Sequence, residues 1–212
     1  MSAPTSREQQ RDQLLEAALV HVPFDGWSGR SLFAGAGDIG FEPDLARRLF
    51  ARGGDDLLGH LDRWADRQML ARIDETALEG LRVRDRIAVL IKARLEALTP
   101  HREAMRRANV ARLLPSNALA AGLGLWRMVD LMWALAGDRA DDVSYYTKRS
   151  LLAAVWTSTF LYWLEDRSVD LQDSSAFLER RIDDVMRIGQ LRGQIETAFE
   201  GLRRFSPLRA SS

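Results

Sequence analysis

Residues able to bind a metal or move a proton are thinly spread in this sequence. His21, His60 and His101 lie far apart, and none falls in a His-x-x-x-His or Glu-x-x-His arrangement that would set two ligands on one helical face. Asp56 and His60 are one helical turn apart, which suits an ordinary polar pair better than half of a metal site. The run Gly35-Ala36-Gly37-Asp38-Ile39-Gly40 has the glycines of a phosphate cradle. It lacks both the preceding strand and the Gly-Lys-Ser/Thr that would follow, so it reads as a turn. Glu165-Asp166 and Asp183-Asp184 are adjacent carboxylates, but neighbours on a helix diverge in direction, and both pairs read as solvated faces instead of an acid and a base. Cysteine is absent, which removes disulfides, thiolate ligands and cysteine nucleophiles. This inventory predicts a chain without an enzymatic centre, a metal or a cofactor.

The elements that would position any site are helices. Apolar residues recur at helical spacing along nearly the whole chain, and no segment alternates in the manner of a strand, so the predicted fold class is all-α. A length of 212 residues, 46% hydrophobic and 28% charged, suits one sizeable core. Leu14, Leu15, Ala18, Leu19 and Val22 stripe a first helix that Pro23 and Asp25-Gly26 should end. Short helices are predicted near Ser31–Ala36 and Pro43–Ala51, separated by a Gly37–Gly40 turn. A fourth follows Gly53-Gly54, with Leu57, Leu58, Leu61, Trp64, Ala65 and Ile73 on its stripe. Val83 to Leu98 marks a fifth, Thr99-Pro100 caps the sixth and Pro115 closes it, and further helices span 117–137, 142–165 and 174–187. Trp126, Trp133, Trp156, Phe160, Trp163 and Phe177 should carry much of the burial.

Charge narrows the partners. The formal net charge is zero, so nothing draws the whole chain to nucleic acid or to an anionic membrane. The N-terminus shows no basic-then-apolar signal pattern, and a cytoplasmic location is expected. The longest uncharged run, Ser150 to Leu164, is shorter than the ~20 residues that cross a bilayer and reads as a buried helix.

Leu14–Leu61, with Ala17-Ala18, the Phe24-Asp25-Gly26-Trp27 turn, two short helices and a longer fourth, resembles the N-terminal helix-turn-helix module of TetR regulators. Its third helix would carry Arg47, Arg48 and Arg52 toward phosphates. Residues 1–60, however, hold six arginines against nine acids, a net charge of −3 that opposes DNA. A degenerate module that no longer binds DNA is therefore expected. The alternative is a TetR-type repressor answering a small hydrophobic effector.

From Pro115 to Val185 the resemblance becomes specific. Met128-Val129-Asp130-Leu131-Met132-Trp133, Ala136-Gly137-Asp138, Tyr145-Tyr146-Thr147-Lys148-Arg149, Leu152-Ala153-Ala154-Val155-Trp156, Glu165-Asp166-Arg167-Ser168 and Phe177-Leu178-Glu179-Arg180-Arg181-Ile182-Asp183-Asp184 fall in the order and spacing of the coenzyme Q biosynthesis protein nine family. This resemblance implies a TetR-like helical fold, a homodimer, and a cavity holding an isoprenoid lipid or ubiquinone precursor. It further implies a partner, the di-iron hydroxylase of ubiquinone synthesis, to which the lipid is presented. Met132, Asp142, Tyr145 and Tyr146 match the family's partner-binding patch, with Tyr145 where the family often has tryptophan. Two adjacent aromatics cannot both enter one core, and exposed rings anchor interfaces. The expected cavity lies on the inward faces of the 117–135 and 148–164 helices, at Leu125, Val129, Trp133, Leu152, Val155, Trp156 and Phe160.

The last segment has its own character. Ile188, Leu191, Ile195, Leu202 and Phe205 repeat at heptad spacing, Phe199 widens the stripe, and five arginines (187, 192, 203, 204, 209) face only Glu196 and Glu200. A basic amphipathic helix of this kind suits the plane of an anionic membrane, and the resembling family uses its terminal helix as a lid and membrane contact; the heptad spacing fits a coiled-coil or core-packing helix equally well. Three parts are thus expected: a helix-turn-helix module over 1–60, a lipid-binding core over 61–185, and a membrane-contact helix and tail over 186–212. The protein would sit peripherally on the cytoplasmic face of the bacterial inner membrane.

Overall fold

A computed structural model of the chain describes residues 6–74, 76–137 and 144–187. Nine helices and no strand occur among them: α1 (Ser6–Asp25), α2 (Gly29–Asp38), α3 (Pro43–Leu49), α4 (Gly54–Ala71), α5 (Val83–Leu98), α6 (Arg102–Arg112), α7 (Pro115–Leu135), α8 (Ser144–Glu165) and α9, whose described part is 172–187. Single 3-10 turns at Thr99–His101 and Val169–Leu171 lead into α6 and α9. The predicted fold class and helix order hold.

Leu14, Leu15, Ala18, Leu19 and Val22 are all buried, so the stripe on α1 faces the core as its period demands. Pro23 does not stop that helix. It sits in the last turn, where few backbone bonds remain to be lost, and the chain turns only at Gly26, whose N–H donates to Val22 O at 2.9 Å. Ser28 Oγ then accepts from Arg30 N–H at 3.1 Å while Ser31 Oγ accepts from Ser28 N–H at 3.3 Å, a reciprocal cap that starts α2. The expected Gly37–Gly40 turn is half helix, because α2 runs on to Asp38; the chain turns at Ile39 and Gly40, where Gly40 has a positive φ of 68°. Gly35 belongs to the buried face of α2, where a Cβ would stand 2.5 Å from Ala18 N of α1. Glycine there brings the two backbones together.

Four other expectations shift. Ile73 lies beyond the end of α4. Thr99 does not cap α6; its hydroxyl donates back to Leu95 O at 2.8 Å, the usual competitor of capping for a threonine at a helix end. Pro115 opens α7 instead of closing α6, as the first helical position asks for no N–H. Asp166, predicted to be solvated, is buried at the α8–α9 corner, where it accepts from the N–H and hydroxyl of both Ser168 and Ser174. Burial raises the carboxyl's pKa, but these bonds outweigh it and bring it to about 2. Arg102 and Arg106 of α6 donate to Asp166 O and Leu164 O, covering the carbonyls at the end of α8.

One continuous apolar cluster runs from Leu14 in α1 to Ile182 in α9. Position 60, the expected boundary, falls inside α4. That helix carries His60, Trp64 and Arg67 to the carboxylates of α1, with His60–Asp12 at 2.7 Å, Trp64–Glu16 at 2.8 Å and Arg67–Glu8 at 2.9 Å. Asp56 turns instead to Arg52. Burial holds His60 below the usual histidine range despite the pull of Asp12.

Candidate functional site

Two neighbouring hollows lie beside α7. The more apolar, about 260 Å³, runs between α4, α5, α6, α7 and α8, and the second, about 340 Å³, lies between α4 and the first half of α7. Asp62, Arg112, Ala121 and Gly124 border both, so they form one half-open cleft with an apolar and a polar end, of the size small organic ligands occupy.

The apolar end is lined by Leu61, Met105, Leu125, Met128, Trp156 and Phe160, with Trp156 and Phe160 stacked at 5.6 Å. Three of the seven predicted cavity residues therefore meet there: Leu125, Trp156 and Phe160. Val129, Leu152 and Val155 are buried in the solid core, and half-buried Trp133 packs against that core. None of these four lines the cleft, and helical geometry explains why. Each i+4 step advances about 40° around the axis, so Leu125, Val129 and Trp133 fan progressively away from one wall. Thr157, on the wall, was missed because a lone threonine carries no apolar signal.

An ion network runs from the apolar end of the cleft to the polar end. Arg94, only 2% exposed, donates to the Asp66 carboxylate and lies over the Trp156 ring at 5.3 Å. Arg112 meets Asp62 at 2.7 Å and Arg127 meets Asp66 at 3.4 Å. Three guanidiniums and two carboxylates thereby tie α4, α5, α6 and α7 together around the opening, an arrangement that satisfies charges half removed from water. Gly124 lets α7 lie this close, since a Cβ there would stand 2.6 Å from Asp62 Oδ2. Arg94 shares the buried face of α5 with Ile87, Leu90 and Ile91, and its partners come from segments distant in sequence.

A second cluster sits where α7 meets the start of α8. Tyr145 is half-buried and its hydroxyl donates to Asp130 Oδ1 at 3.0 Å; Arg149 Nε reaches the same oxygen at 2.7 Å, and its guanidinium lies over the Tyr145 ring at 3.2 Å. The bond to Asp130, reinforced by burial, holds the Tyr145 phenol above its usual pKa. Tyr146 is 67% exposed, edge-on to Tyr145 at 5.1 Å and beside Trp126 at 6.0 Å. One ring is tethered and the other presented, as expected of adjacent aromatics. Trp126, expected in the core, is instead half-buried on this ledge, one turn before Asp130.

Met132 corrects the expected patch: it is wholly buried with Met128, Val129 and Ala136, since it shares their face of α7, and no partner reaches it. Asp142 lies outside the described residues, as do Ile188, Leu191, Ile195, Phe199, Leu202 and Phe205. Among the described residues no group of three or more His, Asp or Glu side chains converges as metal ligands would.

Comparison with known proteins places this architecture. A sequence model of the COQ9 family matches residues 120–189, the span of α7, α8 and α9. In structure the chain is similar to a TetR transcriptional regulator from Nitrosomonas europaea, with a TM-score of 0.69 and 24% identity over 84% of this chain and 98% of that one, a likeness of fold. The human mitochondrial ubiquinone biosynthesis protein COQ9 is 31% identical across 93% of this chain, which spans 64% of the human protein's length. The Xenopus laevis mitochondrial ubiquinone biosynthesis protein COQ9-B is 33% identical, again across 93% of this chain and here 69% of the relative. Likeness of that extent, running from α1 through the cleft to α9, makes the chain a member of the COQ9 family.

Proposed function

We propose that this protein is a non-enzymatic, lipid-binding accessory of ubiquinone biosynthesis, which takes an isoprenoid quinone precursor into the cleft and presents it to a di-iron hydroxylase. The observation that carries the reading is the two-ended cleft. Its aromatic and aliphatic walls at Leu125, Met128, Trp156 and Phe160 suit an isoprenoid chain, and the guanidiniums of Arg112 and Arg127 at the other end suit the oxygens of a quinone or phenol head. The named role of the curated relatives in ubiquinone biosynthesis supports the choice of ligand.

Tyr146, standing on the tethered Tyr145 beside Trp126, is the anchor for the hydroxylase, and Asp142, four residues earlier in the sequence, is a further contact for it. The basic stripe of 186–205 holds a homodimer at the cytoplasmic face of the membrane. The cleft binds and orients; no bond is made or broken by this chain. Native extraction and mass spectrometry of the purified protein tests the reading. An isoprenoid or quinone at near-stoichiometric amount is expected, and a protein without any apolar ligand, even after incubation with a polyprenyl quinone in detergent, would overturn it.

A further inference from the structure

Three guanidiniums of α1 and α4 converge on a second open hollow, away from the cleft. Arg7, Glu8 and Arg11 of α1 and His60 and Arg63 of α4 line a space of about 290 Å³. Every acid nearby is engaged elsewhere. Glu8 turns to Arg67 at 2.9 Å, Asp12 takes His60 at 2.7 Å and Arg67 as well, and Asp56 is held by the backbone and side chain of Arg52, both at 2.8 Å. Among the described residues no carboxylate stands within salt-bridge reach of Arg7, Arg11 or Arg63, and residues 1–5 contain no acid.

These arginines are nonetheless held in place. Arg11 lies over the Phe50 ring at 4.7 Å, and Arg7 gives one N–H to Arg48 O at 3.2 Å, contacts that fix the guanidiniums and leave most of their donors unused. Burial, and then the charges of Arg63 and Arg7, hold Arg11 below the usual arginine pKa against the pull of Asp56 and Glu8. His60 is only 2% exposed, and two nitrogens of the lining, its Nδ1 and Arg11 Nε, are buried without a partner among the described residues. Like charges gathered around a hollow, with buried nitrogens unmatched, form a site that an anion completes.

We propose that this hollow binds a soluble phosphorylated small molecule through the guanidiniums of Arg7, Arg11 and Arg63. A planar carboxylate is satisfied by one bidentate fork, whereas a phosphoryl group carries close to two charges on three oxygens and meets several guanidiniums at once. Nucleic acid is the other source of phosphate, and charge opposes it. Residues 1–60 are net negative, and Arg47 and Arg52, in and just after α3, are turned to Asp44 and Asp56. A ligand bridging Arg7 and Arg11 to Arg63 ties α1 to α4 and stabilises the fold by mass action. Arg63 also borders the polar end of the cleft, so the two sites share α4, yet the anion site stands whatever the cleft holds.

Titration calorimetry of the full-length chain with inorganic pyrophosphate, at an ionic strength held constant with chloride, tests the site. Saturable binding is expected, with a Tm that rises as the ligand is added. Arg63→Gln removes an exposed guanidinium that leaves no partner behind, so the free protein should unfold as before while pyrophosphate binds roughly tenfold more weakly. Arg30→Gln, which deletes an exposed arginine of α2 outside the hollow, should bind like the parent. Absence of saturable binding would overturn the proposal. Equal weakening in the two variants would do so too, since it reduces the effect to unspecific attraction. Displacement of pyrophosphate by duplex DNA would also overturn it, by assigning the arginines to a nucleic-acid backbone.

Discussion

The α1–α4 layer and the α6–α7 corner are built from similar residues and use them in opposite ways. In the first, the leucines of α1 are sealed against α2 and α4, and Glu8, Asp12 and Glu16 all find partners on α4. In the second, aliphatic side chains stand in solvent beside a half-open cleft. A closed layer stores stability, while an open corner gives some up for contact, and active surfaces are drawn from such low-stability ground. Substitutions of the same kind should therefore behave differently in the two regions.

The largest contrast is expected from leucine truncation. Leu15→Ala removes a side chain with no exposure and should cost about 2–5 kcal/mol in urea unfolding. Next comes glycine. Gly35→Ala forces α1 and α2 apart and should destabilise by about 1–3 kcal/mol. Gly122→Ala, with nothing within 4 Å of the new Cβ, should stabilise α7 by up to about 1 kcal/mol. Equal effects at the two glycines would break the comparison.

Acid should attack the closed parts from two sides. His60 is held below 6.5 by burial, so below that value the unfolded chain takes the proton first, and stability falls as pH drops toward the folded value. Asp166 sits at about 2 against 3.8 unfolded; its contribution is full above 3.8 and lost as pH falls toward 2. A Tm-against-pH curve should show both arms, and His60→Gln should flatten the upper one. At the ledge, Tyr145→Phe deletes one bond to Asp130 and should lower the Tm slightly, whereas Tyr146→Ala should stay within about 0.5 kcal/mol. Changing both to Ala should nevertheless abolish hydroxylase capture; retained capture would remove the ledge from the proposed function. Smallest of all, Leu119→Ala should alter stability by no more than about 0.5 kcal/mol, and a cost near that of Leu15→Ala would show the corner to be covered.

Legibility in the sequence varied with range. The helices were readable because apolar period and punctuation act within a few residues: the α1 stripe and Pro115 mark real elements, even where proline opens a helix instead of ending one. The site was half readable. Trp156 and Phe160 line the cleft, whereas Val129 and Trp133 do not, because one apolar face wraps through more than 100° and meets several neighbours in turn. Met132 and Asp166 illustrate the harder case. A methionine expected at the surface and a carboxylate expected in water are both buried, owing to the face of α7 one shares and the serines the other gathers.

By itself, the sequence determined an all-α chain, its helix order, the near-absence of catalytic spacing and the family resemblance of its second half, since each is written in local period or motif. Only the tertiary structure decided that α7 leaves its first half uncovered and that Asp62, Asp66, Arg94, Arg112 and Arg127 join in one ion-pair network beside the cleft. Exposure and ion pairing depend on which distant helix arrives at a given face, and no window of neighbouring residues contains that information.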